Sequence, residues 1–205
     1  MSDDTPQIYL VTPPDPEREG FADTLARALD AVPVACLRLR MARADADLVT
    51  RTADGLRALA HARDVPLVIE AHVGLVERLG LDGVHLTDGA RSVRKVRAAL
   101  GADAIVGAAC AASRHDGMSA GEHGADYIAF GPVGDSGLGD GTVAPRELFE
   151  WWSDMIEVPV VAEGALTRDL LAAYRDVADF FALGDEVWTE DDPVATLKGF
   201  AAALG

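Results

Sequence analysis

Cysteine is scarce in this chain. Only Cys36 and Cys110 occur among 205 residues, too few for a disulfide framework and without metal-ligand spacing, so a reducing cytoplasm is the expected compartment. Basic residues are few as well. Lys and Arg number 18 against 34 Asp and Glu, for a net charge of −16, and a field of that sign repels nucleic acid phosphates and anionic membrane surfaces. Neither nucleic acid nor membrane is an expected partner. An anionic ligand would need a local group of arginines or backbone amides to hold it. No run of about 18 apolar residues occurs, as a spanning helix would require, and residues 1–6 are acidic and polar with no signal-like apolar stretch. Nothing reads as a targeting or anchoring segment. Linkers rich in Pro, Gly or Ser are absent, and the one Gly-dense stretch, residues 131–141, reads as a loop between a strand and a helix. What is present, 49% hydrophobic and 25% charged residues, suffices for a buried core. One domain over residues 1–205 is expected.

Short β-branched runs alternate with longer stretches of Ala, Leu and Arg, the pattern of repeated βα units. Strands are predicted at residues 7–12, 33–39, 66–70, 83–86, 104–107, 126–131, 159–162 and 179–183. Helices are predicted near 17–31, 44–62, 73–79, 93–100, 114–123, 145–155, 168–175 and 193–204. Most of the strands are nearly continuous apolar runs, which implies burial on both faces, as in a parallel sheet covered by helices. In the second helix Leu48, Val49, Thr52, Leu56 and Leu59 recur at helical spacing. Ser92 and Thr167 stand where N-caps belong, Gly80 and Gly101 where helices end. Eight such units in about 200 residues predict a closed α/β barrel, the (β/α)8 or TIM barrel, whose functional loops follow the C-terminal ends of the strands.

Several residues at those ends carry chemistry. Arg38 and Arg40 flank Leu39, so both guanidiniums share one strand face at the mouth and suit a phosphorylated ligand; the plainer reading is salt bridging to acids such as Asp45 or Glu70. Gly164 and Gly184 follow the seventh and eighth strands, where barrel loops often hold phosphate through backbone N–H groups. Glu163, Asp185 and Glu186 beside them would repel it. His85 ends the fourth strand and is a candidate ligand contact or acid/base, with a structural role as the alternative; His72 is weaker. Glu70, Asp88 and Glu163 form a candidate Mg²⁺ set, although no local spacing enforces it. Cys110 lies among alanines and reads as a small packed residue. Trp151 and Trp152 are neighbours on one helix, so one is expected against the barrel and the other is free to meet a partner in a homo-oligomer.

The segments Tyr9-Leu10-Val11-Thr12, Pro66-Leu67-Val68-Ile69, Asp82-Gly83-Val84-His85-Leu86 and residues 124–133 (GADYIAFGPV) together resemble the thiamine phosphate synthase family, whose superfamily also contains thiazole tautomerases. The resemblance implies a (β/α)8 barrel that joins hydroxymethylpyrimidine diphosphate to thiazole phosphate with release of pyrophosphate, using Mg²⁺ held by acidic residues. Several of the family's positions differ here. Its Gln-x-Arg-x-Lys reads Cys36-Leu37-Arg38-Leu39-Arg40, and its Asn-Asp after the third strand reads Glu70-Ala71. After GVHL its acidic pair falls on Thr87-Asp88-Gly89-Ala90, which places alanine at a second metal position unless Asp88 substitutes. The lysine-bearing loop is replaced by residues 134–141 without lysine, the double glycine reads Glu163-Gly164, and the tautomerase histidine is replaced at residues 110–112. The expected function is therefore a thiamine phosphate synthase-like transferase. The alternative is a non-catalytic phosphate-ligand-binding or regulatory barrel that has lost the metal ligands.

Overall fold

Each strand of the chain carries two interleaved sets of side chains. Leu10, Leu37, Leu39, Leu67, Ile69, Val84, Val106, Ile128, Phe130, Val160, Phe181 and Leu183 pack into one cluster with the helices; Tyr9, Val11, Cys36, Val68, Tyr127, Ala129, Val161 and Ala182 form a second, separate cluster. Successive strand residues point to opposite faces, so the first cluster lies between sheet and helices and the second fills the inside of the sheet. A computed structural model, which describes residues 5–41, 45–135 and 142–205, shows that sheet closed on itself. Strands β1 (Gln7–Val11), β2 (Cys36–Leu39), β3 (Leu67–Glu70), β4 (Gly83–Leu86), β5 (Ile105–Ala109), β6 (Tyr127–Phe130), β7 (Val160–Glu163) and β8 (Phe180–Leu183) pair in parallel with their sequence neighbours, and β8 returns to β1. The fold is a (β/α)8 TIM barrel.

The helices are α1 (Phe21–Ala31), α2 (Ala46–His61), α3 (Val73–Leu79), α4 (Val93–Leu100), α5 (Arg114–Glu122), α6 (Arg146–Met155), α7 (Arg168–Tyr174), α8 (Asp185–Trp188) and α9 (Pro193–Leu204). Two depart from the sequence expectation by more than two residues. Helix α1 starts at Phe21 rather than 17, because Gly20 at φ 78° breaks helical geometry just before it. The single turn α8 lies outside the predicted helices; four residues are too few to show a period. Thr167 caps α7 by accepting the amide of Leu170 at 3.2 Å, whereas Ser92 turns its hydroxyl to Asp88 at 2.6 Å and caps nothing. The first residue of the expected second helix, Ala44, lies outside the described residues, as does most of the glycine-dense loop, residues 136–141.

At the end of the barrel away from the strands' C-termini, one device recurs three times. Asp82, Asp126 and Asp179 each immediately precede an even-numbered strand. Their carboxylates accept the backbone N–H of Leu67, Val106 and Val160, the neighbouring odd strand, at 2.7 Å in every case. These charge-assisted bonds fasten β3 to β4, β5 to β6 and β7 to β8.

Candidate functional site

The inward positions change character along the strands. Apolar below, they become polar at the C-terminal mouth, where Arg38, Glu70, His85 and Glu163 stand on β2, β3, β4 and β7. A cleft of about 760 Å³ opens above them, lined by Arg38, Arg40, Glu163, Gly164, Gly184 and Glu186 among others.

Arg38 is buried, at 7% exposure. Its Nη1 donates to Glu163 Oε2 and to His85 Nε2, both at 2.9 Å, and its Nε lies 3.2 Å from Glu70 Oε1 at an angle too poor for a hydrogen bond. Burial disfavours its charge, but Glu163, Tyr9 and Glu70 outweigh that and raise its pKa. The ion-pair reading of Arg38 is thus realised, with Glu163 as well as the anticipated Glu70. Burial pushes the Glu70 carboxyl up, opposed by Arg38 and Arg40.

His85 is almost fully buried and does not line the cleft. A guanidinium only donates, so Nε2 must accept from Arg38, and Nδ1 carries the proton and donates to the Tyr127 hydroxyl at 2.9 Å. Tyr127 then has its own proton left for Tyr9, 2.6 Å away. This one-way series of donors holds His85 neutral; burial, and then the Arg38 charge, lower its pKa well below 6.5. Gly107 makes room for the series, since a Cβ there would stand 2.0 Å from the Tyr127 ring.

Arg40 is the more open of the pair. Thr12 Oγ1 accepts its amide at 3.0 Å and donates to its carbonyl at 3.1 Å, fixing the backbone, while Nη2 reaches the exposed Asp185 at 2.5 Å. Its Nε is buried without a hydrogen-bond partner among the described residues. Of the two glycines, Gly164 sits at φ 89°, where a Cβ would meet Pro132 at 2.8 Å. The Gly184 amide is already taken. Glu186 Oε2 accepts it at 2.9 Å, and Oε1 of the same carboxylate accepts the Leu166 amide at 2.9 Å. Sequence reasoning treated Glu186 only as a repelling charge and missed Tyr9 and Tyr127, whose signal was their inward register.

A divalent cation is what the family resemblance implies, and the residues present do not fit one. The candidate carboxylates are already engaged: Glu70 and Glu163 are both taken by Arg38, and Asp88 turns to Ser92. Among the described residues no three His, Cys, Asp or Glu side chains form a metal site. The backbone there is nonetheless unusual. Ala71, Ala111 and Ala165, in the loops directly after β3, β5 and β7, have φ of 60°, 48° and 52°, strain of a kind that collects at functional sites. Elsewhere, Cys110 is buried with its thiol pushed up to about 12, and so is inert. His72 precedes α3 and is exposed. Trp152 is buried and donates to the Val158 carbonyl, while Trp151 is half-buried under the Arg114 guanidinium, 4.0 Å above its ring. No described helix is long and apolar enough to cross a membrane.

Residues 8–187 match the family model described as thiamine monophosphate synthase. The chain belongs to the thiamine monophosphate synthase family. Curated relatives in that family include the thiamine-phosphate synthase of Rhodospirillum centenum, 42% identical over 95% of this chain and 95% of that protein. The one from Erythrobacter litoralis is 40% identical over 97% and 95%. The solved thiamine phosphate pyrophosphorylase of Pyrococcus furiosus superposes with a TM-score of 0.82, covering 97% of this chain and 98% of that one at 21% identity, a likeness of fold. In this family member the barrel and the arginine pair coexist with alanine at the positions where the resemblance expects metal carboxylates.

Proposed function

We propose that this chain is a cytoplasmic thiamine phosphate synthase, joining hydroxymethylpyrimidine diphosphate to thiazole phosphate and releasing pyrophosphate. The observation that carries the reading is the pair of guanidiniums that line the 760 Å³ cleft, Arg38 buried and ion-paired and Arg40 the more open. As the bond from the pyrimidine methylene to the diphosphate breaks and the bond to the thiazole forms, negative charge grows on the departing pyrophosphate. Donors aimed at that charge stabilise the transition state more than the ground state. Arg40, tethered only by an exposed carboxylate, turns to the diphosphate. Arg38, held in place by Glu163, Glu70 and His85, adds positive charge from below. Charge-assisted bonds of this kind contribute about 1.5 to 3 kcal/mol each.

No step is assigned to a protein-held metal ion, because among the described residues Glu70 and Glu163 are taken by Arg38, Asp185 by Arg40 and Glu186 by backbone amides. The test supplies both phosphorylated substrates with and without Mg²⁺ and measures thiamine phosphate. Product above background supports the proposal; its absence at high enzyme concentration overturns it. Binding of the ligands without turnover would leave the regulatory barrel as the surviving reading.

A further inference from the structure

The cleft carries four carboxylates, Asp135, Glu163, Asp185 and Glu186, against two guanidiniums. Three of the four are paired with an arginine or, in the case of Asp135, otherwise engaged. Glu186 is different, because its partners are backbone amides. One amide follows β7 and the other follows β8, and a single carboxylate bridges them with both oxygens at 2.9 Å. Two N–H groups from separate loops, brought together on one carboxylate that lines the cleft at the C-terminal end of the barrel, form a cradle for an oxyanion, and here the chain supplies the oxyanion itself. The cradle belongs to the cleft: Gly164, Ala165, Gly184 and Glu186 are all part of its wall.

We propose that Glu186 is a specificity-determining residue that competes with the phosphate of the thiazole ligand for the Leu166 and Gly184 amides, and so narrows the preference for the phosphorylated thiazole over the corresponding alcohol. The inference rests on the reading that a thiazole is the second substrate. A phosphate entering this cradle must first displace the carboxylate, and afterwards lies beside its charge. The uncharged alcohol meets neither obstacle. Discrimination between the two ligands is therefore set by a group that opposes one of them rather than by one that attracts the other.

The experiment is calorimetric titration of the intact protein, Glu186→Gln and Glu186→Ala with hydroxyethylthiazole and with its phosphate ester, alongside a melting curve for each protein. Gln keeps the shape and one acceptor while removing the charge, so it reports on competition even where Ala loosens the loop. In both variants the ratio of ester to alcohol affinity is expected to widen by about tenfold or more, the gain coming from the ester. An unchanged ratio overturns the proposal. So does a loss of ester affinity in both variants, which would make Glu186 a builder of the site. Turnover is scored separately: a widened ratio without thiamine phosphate formation sustains this role and refutes the synthase reading, and turnover with no change in ratio does the reverse. If neither thiazole binds any of the three proteins, both fail.

Discussion

Replacing His85 tests the buried donor series, and its consequence is a pH dependence of known sign. The imidazole is held neutral in the fold because Nε2 must accept from Arg38, and its pKa lies well below the 6.5 of the unfolded chain. Between those two values the unfolded state binds a proton that the folded state does not, so stability rises with pH and is lost as pH falls below 6.5. While the folded ring stays neutral, the loss approaches about 1.36 kcal/mol for each pH unit below 6.5. In a chain of this size each kcal/mol is about 2 to 4 °C in Tm. Glu70 works in the opposite sense. Its folded pKa is raised above 4.5, so its contribution grows as pH falls through that window, and total stability against pH mixes the two. Subtraction separates them: urea unfolding of wild type and His85→Gln at about pH 7.5, 6.5, 5.5 and 5 should show the wild-type curve falling more steeply on the acid side. Parallel curves would refute the reasoning, as would imidazole resonances of His85 that titrate at or above 6.5 in the folded protein.

Arg38→Met should leave Glu70 and Glu163 facing each other without a cation. Fully buried, such a loss costs about 3 to 5 kcal/mol, and their side-chain exposures of 22% and 23% reduce it to about 2. Adding Glu163→Gln should recover part of that in urea melts, and full stability of the single variant would count against the ion-pair reading. Arg40→Ala should weaken pyrophosphate binding by about 1.5 to 3 kcal/mol with little change in Tm; an unaltered Kd assigns Arg40 to its bridge with Asp185. Gly164→Ala, at φ 89° and against Pro132, should lower stability by about 2 kcal/mol, and an unchanged melting temperature would contradict the strain. Ala71→Asp together with Ala90→Asp should strengthen Mg²⁺ binding in calorimetry, helped by the φ of 60° at residue 71, which Asp tolerates better than Ala. Equal Mg²⁺ affinity in wild type and variant would show that these positions are not the missing ligands.

The barrel was legible because its signals are local and repeated. Each strand is a short apolar run bounded by a glycine, proline or aspartate, and eight such runs leave few other architectures. Arg38 and Arg40 were legible as a pair for the same reason, since a spacing of two fixes a shared face. What surrounds them was not. The bond from Arg38 to Glu163 spans 125 positions and that from Trp188 to the Val11 carbonyl spans 177, separations over which sequence spacing says nothing. Glu186 shows the limit most clearly. Its charge was readable and argued against a phosphate, but that one carboxylate would bridge amides of two loops depends on where β7 and β8 end in space.

The three aspartate clasps lie at the opposite end of the barrel from every residue discussed as chemistry. The clasps thus fasten the strands at one end of the barrel, and ligand recognition is sited at the other. Alanine at positions 71 and 90 of the rim leaves the clasps untouched. A changed side chain at the rim costs the contacts it made there, as at Arg38 or Gly164, and the strand pairs at the far end stay fastened.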